Sequence, residues 1–545
     1  ESSGSGALVW TGTVTNNSTL ATKILNLGGT NADANEIQGV LADNTGGGSV
    51  LRVDKENAGN WILSADNTYT GATNINNGTL QIGNGGTTGS LAIASTITNN
   101  GALVFNRSDD IAQGTDFSAS PITGSGSVTQ SGSGTLVLSA TNDYDGLTRV
   151  NNGVLNLLNN ADGSITWGGS FEINNGSRLE IESITNFTNF QNRTFTFDSA
   201  GGGTIDFDGN ILWRENTIVT TGGAKNTVSG ERFNMQNTRT AFYNVADGSD
   251  AIDLEVSLRH DRGSIDKSGA GTLALTNVTN NLLDTNTITI NAGTLEIAAS
   301  GRITSGNWGG AITNDGTFDY NSSANQVLSG VIDGTGVLVQ NGAGTLTLSG
   351  ANLYTGTTTV NAGTLLVDGS LSTSSVVDVT GGTLGGVGTV GGNTTINSGA
   401  TLSAATNGTS GTLAFSGDLT MSSGSTWLVD LTHHLTPGSG GEVDLVNISN
   451  ALALNSADLQ VIESGAFLLG ETYQIASYGV SPTLGLFSNG TQVTGSLGGV
   501  FEINYADGGN FITLTAVPEP AAFLPLLLLL VVGFRIYRRR TAEVA

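Results

Sequence analysis

Residues 344–367 read GTLTLSGANLYTGTTTVNAGTLLV. The stretch opens on Gly344-Thr345-Leu346-Thr347-Leu348 and closes on Gly363-Thr364-Leu365-Leu366-Val367, two near-copies that start 19 residues apart. Related stretches stand at 132–157 (GSGTLVLSATNDYDGLTRVNNGVLNL) and 59–82 (GNWILSADNTYTGATNINNGTLQI), and a looser one at 269–297 (GAGTLALTNVTNNLLDTNTITINAGTLEI). A shorter signature recurs more widely: an apolar residue, Asn, a small or polar residue, then Gly. It stands at Ile75–Gly78, Val150–Gly153, Ile173–Gly176, Ile290–Gly293, Val360–Gly363 and Ile396–Gly399. Asn and Gly tolerate positive φ, so each copy predicts a tight turn at the end of a strand.

The residues after these turns alternate. Leu295 and Ile297 fall on one face, Thr294 and Glu296 on the other, the period of a strand with one buried side. One short strand about every ten residues, in units of about twenty, cannot bury that side alone; stacking successive units does. The expected fold is all-β, a parallel β-solenoid of the right-handed β-helix type, with Leu136, Leu155, Leu273, Leu295, Leu346 and Leu365 inside. The rival reading is a set of β-sandwiches, which also use short strands but do not require the same Asn-x-Gly turn in every unit.

Composition fits a turn-rich β protein. Of 545 residues, 80 are Gly and 6 are Pro; 37% are hydrophobic and 12% charged. The apolar share is enough for a core, and many Gly with few Pro mean many turns rather than collagen or a proline-rich linker. The net charge of −26 argues against a nucleic-acid partner, since phosphate binding needs a basic face. There is no cysteine, which excludes disulfides, thiolate metal sites and thiol nucleophiles. The chain opens on Glu1 without a basic-then-apolar run, as expected of a processed chain or a fragment.

The phrase G-x-G-T-L-x-L-(S/T)-G-x-N-x-Y-T-G-x-T-x-(V/I)-N-x-G-x-L resembles the autotransporter-associated β-strand repeat of large secreted bacterial proteins. The match is close at 342–367 and good at 132–157 and 59–82. At 269–297 Leu282-Leu283-Asp284 replace the Tyr-Thr-Gly centre. The resemblance implies an extracellular β-helix and implies no activity.

The expected organisation is an N-terminal cap with degenerate coils over 1–58, repeats over 59–400 with an irregular part at 180–262, a closing β-region over 401–516, and a tail over 517–545. The tail reads VPEPAAFLPLLLLLVVGFRIYRRRTAEVA. Its apolar run predicts a membrane-spanning helix over 521–537, with Arg535 snorkelling. Arg538, Arg539 and Arg540 place its end on the cytoplasmic side. Val517-Pro518-Glu519-Pro520, the apolar segment and the Arg cluster together resemble the PEP-CTERM sorting signal of Gram-negative bacteria. That resemblance implies processing by an exosortase-like enzyme, a membrane anchor before processing, a cell-surface or extracellular destination, and an association with extracellular polysaccharide. An autotransporter proper would end in a translocating barrel of long alternating strands; a single apolar helix implies another export route.

No constellation of reactive residues stands out, and no catalytic, cofactor or metal residue is assigned. Arg259-His260-Asp261-Arg262 with Asp266 and Lys267 is the densest charged cluster. It would be the acid/base group of a polysaccharide-degrading enzyme or a solvated loop. His433 and His434 are adjacent, a poor chelating geometry on a strand. Asp109-Asp110 read as a turn. Asp206 and Asp208 would share a strand face and offer oxygens to Ca²⁺. Six Trp (Trp10, Trp61, Trp167, Trp213, Trp308 and Trp427) stack on sugars if exposed and pack coil corners if buried. The expected function is a surface structural protein or adhesin, not an enzyme. The alternative is a β-helix polysaccharide-degrading enzyme or carbohydrate-binding surface protein.

Overall fold

The computed structural model describes residues 2–518, apart from 3, 18–21, 45, 47, 160–168, 175, 184–187, 199–200, 237, 406–409, 433–441, 465–468, 481–484 and 506–508. The described residues are all-β, and the chain divides into two compact units between Ser305 and Gly306.

The first unit is a parallel β-solenoid. Each strand pairs in parallel with the strand one coil earlier and one coil later, so a given position returns as a row along the stack. One interior row runs Ile37, Leu63, Ile82, Phe105, Gln130, Val150, Ile173, Phe197, Thr220 and Val245. Another runs Leu136, Leu155, Leu179, Ile205 and Val228. Such rows exist because the side-chain period is two: alternate residues of every strand face the same interior. Between 171 and 245 the interior turns aromatic. Phe171, Phe190, Phe195, Phe207, Trp213 and Phe233 are all buried, with Trp213 stacked on Phe233 at a centroid distance of 4.1 Å. Thr204–Arg214 and Asn226–Asn234 pair there across an irregularity between Phe207 and Asn210.

The second unit has the same architecture. Its central row is Gln326, Leu346, Leu365, Leu384, Leu402, Trp427 and Leu459. Towards its C-terminal part the pairing becomes antiparallel, with Phe511–Val517 between Thr472–Val480 and Val500–Tyr505.

All six leucines expected inside the solenoid are buried. Among the described residues the repeats do not form sandwiches, because their registers run in parallel from coil to coil. The turn signature also reads as expected. Gly153 and Gly363 adopt φ of 62° and 58°. A side chain at Gly363 would meet the carbonyl oxygens of Gly342 and Gly344, so the turn needs glycine for its conformation and for space.

The helix expected over 521–537 lies outside the described residues. Among the described residues no helix is long and apolar enough to cross a membrane.

Candidate functional site

Two polar constellations recur with the repeat, and both are spent on closing coils. The first is the Asn-x-Tyr corner. Asn142 accepts a hydrogen bond from the Ile122 N–H of the previous coil at 2.7 Å and donates to Ala140 O at 3.1 Å. Asn67 does the same with Leu41 N–H and Ala65 O, and Asn352 with Ile332 N–H and Gly350 O. Two residues on, each Tyr hydroxyl meets a Thr hydroxyl four residues further: Tyr69 with Thr73 and Tyr144 with Thr148 at 2.7 Å, Tyr354 with Thr358 at 2.5 Å. Burial pushes the Tyr354 phenol up to about 12, so it is a neutral hydrogen-bonding group and no base. In the looser copy the Asn persists: Asn280 accepts from His260 N–H at 2.8 Å, and Leu282 takes the Tyr position.

The second constellation was not visible in the sequence. Lys55, Gln130, Lys267 and Gln340 are fully or almost fully buried, each just before a turn. Lys55 Nζ donates to the carbonyls of Glu56, Asn57 and Asn77, and Lys267 Nζ to those of Ser268, Gly269 and Ala292. Gln130 Nε2 donates to Gly132 O and Gly134 O, and Gln340 Nε2 to Gly342 O and Gly344 O. Turn carbonyls that point inward need donors, and one long side chain per repeat supplies them. Burial pulls both lysines down to about 8.

The acid/base cluster does not form. On the strand Arg259–Asp261, alternation sends His260 into the interior, where its Nε2 meets the Tyr243 hydroxyl at 2.5 Å. Burial lowers the imidazole to about 4, so it stays neutral. Asp261 accepts from Arg232 at 3.2 Å, Arg259 at 3.0 Å and Asn281 at 3.0 Å. Lys267 caps a turn, and Asp266 accepts from Asn291 at 2.8 Å. No cleft joins an acid to a base here.

The remaining candidates have ordinary partners. Asp109 pairs with Arg107 at 2.6 Å, and that guanidinium holds its carboxyl below the usual range. Asp110 accepts from Thr135 N–H. Trp61, Trp213, Trp308 and Trp427 are buried and packed, and Trp10 is exposed. Trp167, His433 and His434 lie outside the described residues. Asp206 and Asp208 do share a face. Register sets Glu180 beside Asp206 and Glu182 beside Asp208, around a surface hollow of about 320 Å³ that Arg178 and Glu231 also line. Arg178 pairs with Asp206 at 2.6 Å, and Asn156 donates to Glu180 and Glu182. Among the described residues no group of three or more His, Asp or Glu converges as a metal site. The sequence could not place Glu180 and Glu182 here, because they come from the preceding coil.

Of the sorting-signal residues, Val517 ends the last described strand, paired with Val500, and Pro518 follows it. A proline has no N–H to continue the ladder. Glu519, Pro520, Arg538, Arg539 and Arg540 lie outside the described residues.

Four segments, 53–82, 128–157, 265–297 and 338–367, match the family model of the passenger-associated-transport-repeat. They end on Ile82, Leu157, Ile297 and Val367, where the copies read from the sequence end. The buried Lys or Gln cap is the third residue of each. A stretch of 116 residues, 21% of this chain, is 46% identical to the adhesin BmaC autotransporter of Brucella suis biovar 1 (strain 1330). It spans 3% of that much longer relative. The described residues thus form a β-solenoid, four segments of which match the model of that repeat family.

Proposed function

We propose that the chain is a structural β-solenoid of the bacterial cell surface or extracellular matrix, with an adhesin-like role and no enzymatic activity. One observation carries this reading: the recurring polar residues of the repeats are consumed in closing turns and corners. The printed name of the relative, an adhesin, supports the same reading. The coils wind as a right-handed β-helix, the hand that parallel crossovers favour. The functional layout is a cap over 1–58, a solenoid over 59–400, a closing region over 401–516 and a sorting tail over 517–545.

In this proposal the tail is a PEP-CTERM signal of a Gram-negative-type bacterium. The segment 521–537 spans the membrane as a helix, the way one chain segment satisfies its backbone hydrogen bonds in lipid. Arg538–Arg540 hold its cytoplasmic end, and an exosortase-like enzyme acts near Val517-Pro518-Glu519-Pro520. The outer partner is extracellular polysaccharide; nucleic acid is none, given the net charge of −26.

Mass spectrometry of surface-extracted protein tests the sorting. Mature protein should lack the Arg cluster, and alanines at Pro518, Glu519 and Pro520 should leave the full-length chain in the membrane. An intact Ala545 on the surface would reduce the tail to an ordinary anchor. Reproducible cleavage of a polysaccharide, lost on changing His260 or Asp261, would overturn the non-enzymatic assignment.

A further inference from the structure

Eight Asn-Gly pairs stand in the sequence. In such a pair the amide carbon and the next backbone nitrogen can close a five-membered imide ring, and glycine leaves that nitrogen unhindered. Sequence alone ranks the eight alike, but the fold separates them. Asn175 and Asn407 lie outside the described residues. In four others the glycine N–H is committed elsewhere. Gly85 donates to Asn106 O at 2.8 Å, Gly101 to Asn99 Oδ1 at 3.2 Å, Gly342 to Tyr320 O at 2.9 Å and Gly490 to Phe487 O at 3.0 Å. Asn341 also donates to both carboxylate oxygens of Asp319, and Asn489 Oδ1 accepts from Leu459 N–H at 2.8 Å. Ring closure at Asn341 or Asn489 would break these bonds.

Asn77 and Asn152 differ. Gly78 N–H donates to Asn77 Oδ1 at 2.7 Å, and Gly153 N–H to Asn152 Oδ1 at 2.9 Å. Cγ is about 1.2 Å from Oδ1, so each glycine nitrogen stands within about 4.1 Å of the carbon it would attack. Such proximity lowers the barrier of an intramolecular reaction. Both asparagines are exposed, so water reaches them and ammonia can leave. Neither amide is needed for the turn. Ala292 and Ala362 hold the same place before Gly293 and Gly363, whose φ of 65° and 58° match the 67° and 62° of Gly78 and Gly153.

We propose that Asn77 and Asn152 are sites of spontaneous deamidation in the folded protein. The Gly78 nitrogen loses its proton to solvent and attacks Asn77 Cγ. The bond from Cγ to the side-chain nitrogen breaks, and that nitrogen takes up a proton from water and leaves as ammonia. Water then opens the succinimide at one of its two carbonyls, giving aspartate or isoaspartate. One water is consumed and one ammonia released, and nothing is oxidised or reduced. Gly153 and Asn152 follow the same steps. Each event turns a neutral amide into a carboxylate. The two turns part at ring opening. Lys55 Nζ donates to Asn77 O at 2.9 Å. That oxygen becomes the main-chain carbonyl of the ring, and the ammonium polarises it toward water. Attack there yields isoaspartate, whose free carboxylate faces Lys55. At Asn152 the cap is Gln130, whose amide has two N–H donors and spends them on Gly132 O and Gly134 O. Isoaspartate therefore forms the larger share at Asn77.

The test is peptide mapping by mass spectrometry, with electron-transfer fragmentation to tell isoaspartate from aspartate. The full chain in detergent is aged in a neutral buffer made with heavy-oxygen water, which marks only the deamidation that occurs during the experiment. Asn77 and Asn152 should react roughly ten-fold faster than Asn341 and Asn489, the worth of one or two hydrogen bonds. In denaturant the four rates should converge, which separates the fold from the sequence. Asn77→Ala copies the turns at Ala292 and Ala362 and should abolish the product there while leaving Asn152 unchanged. Lys55→Gln installs the cap that Gln130 provides and should lower the isoaspartate share at Asn77 to that at Asn152. The proposal is overturned if Asn341 or Asn489 reacts as fast as Asn77 and Asn152 in the folded chain. It is also overturned if either Asn77 or Asn152 stays intact there while reacting in the unfolded chain. An unchanged isoaspartate share in the Lys55→Gln variant would remove Lys55 from the ring opening.

Discussion

Tyr243 and His260 meet inside the first unit, hydroxyl oxygen to Nε2 at 2.5 Å, with Phe233 edge-on to the imidazole at 5.9 Å. His260 Nδ1 has no partner. A second proton on this ring would put a charge into the buried interior, where only Asn280 favours it. Burial lowers the imidazole from 6.5 to about 4. Because the folded value is depressed, the neutral ring's contribution is complete above about pH 6.5 and is lost as pH falls through about 4. The full loss is on the order of 3 kcal/mol. Thermal unfolding of the first unit between pH 7 and 4 should show it, and His260→Phe should flatten that dependence. An unchanged slope in the variant would place the acid sensitivity elsewhere.

Asp444 in the second unit should behave in the opposite sense. Its carboxylate accepts from Gly411 N–H at 3.1 Å and Asp430 N–H at 3.2 Å. Burial pushes it up from 3.8 to about 7, and the charge of Asp430 adds to the rise. A raised folded value means that its contribution is complete below about pH 3.8 and is lost as pH rises through about 7. Acidification should thus stabilise the second unit over a range in which it weakens the first. Asp444→Asn has no titrating charge and should remove the dependence, although its amide nitrogen cannot accept from a backbone N–H as the acid does. Hydrogen exchange followed by mass spectrometry at pH 5 and 8 would read the two units apart.

How much of this was legible depended on which periodicity carried the signal. The interior leucines and the Asn-x-Gly turns repeat within one strand and its turn, so period two and the φ needs of glycine revealed them. The same alternation was available for Arg259-His260-Asp261 and would have put His260 opposite its neighbours; local charge density hid it. Lys55, Gln130, Lys267 and Gln340 were illegible for another reason. A lone Lys or Gln before a turn looks solvated, and its burial depends on inward-pointing carbonyls up to a coil away, as Asn77 O is for Lys55. The acidic hollow arises only when coils stack in register.

The alternation of Lys and Gln at the cap makes a prediction about exchange. Gln340 uses only its amide nitrogen, and its Oε1 has no partner. Gln340→Lys keeps a long donor and gives up no acceptor, so it should cost less than about 1.5 kcal/mol. Gln340→Leu leaves the Gly342 and Gly344 carbonyls without that donor and should cost roughly 2–6 kcal/mol, at about 1–3 per buried polar group. Denaturant midpoints of the two variants check the ranking, and a Leu variant as stable as the Lys variant would refute the capping role.

The last prediction concerns how far damage travels. Leu346 and Leu365 are register partners on consecutive coils, both fully buried. Either one changed to Ala should cost about 2–5 kcal/mol through the cavity left behind. Leu136 sits in the other unit, in the row it shares with Leu155. In a stacked-coil protein each unit contacts its neighbours, and stability is close to a sum of local and nearest-neighbour parts. Cavities at Leu346 and Leu365 adjoin, so the double variant should depart from additivity by roughly 0.5–3 kcal/mol. Leu346→Ala with Leu136→Ala should add within about 0.5 kcal/mol. Hydrogen exchange should show each cavity raising exchange in its own and adjacent coils and leaving distant coils unchanged. Uniform loss of protection along both units on a single substitution would mean that the coils unfold as one block, and the nearest-neighbour account would fail.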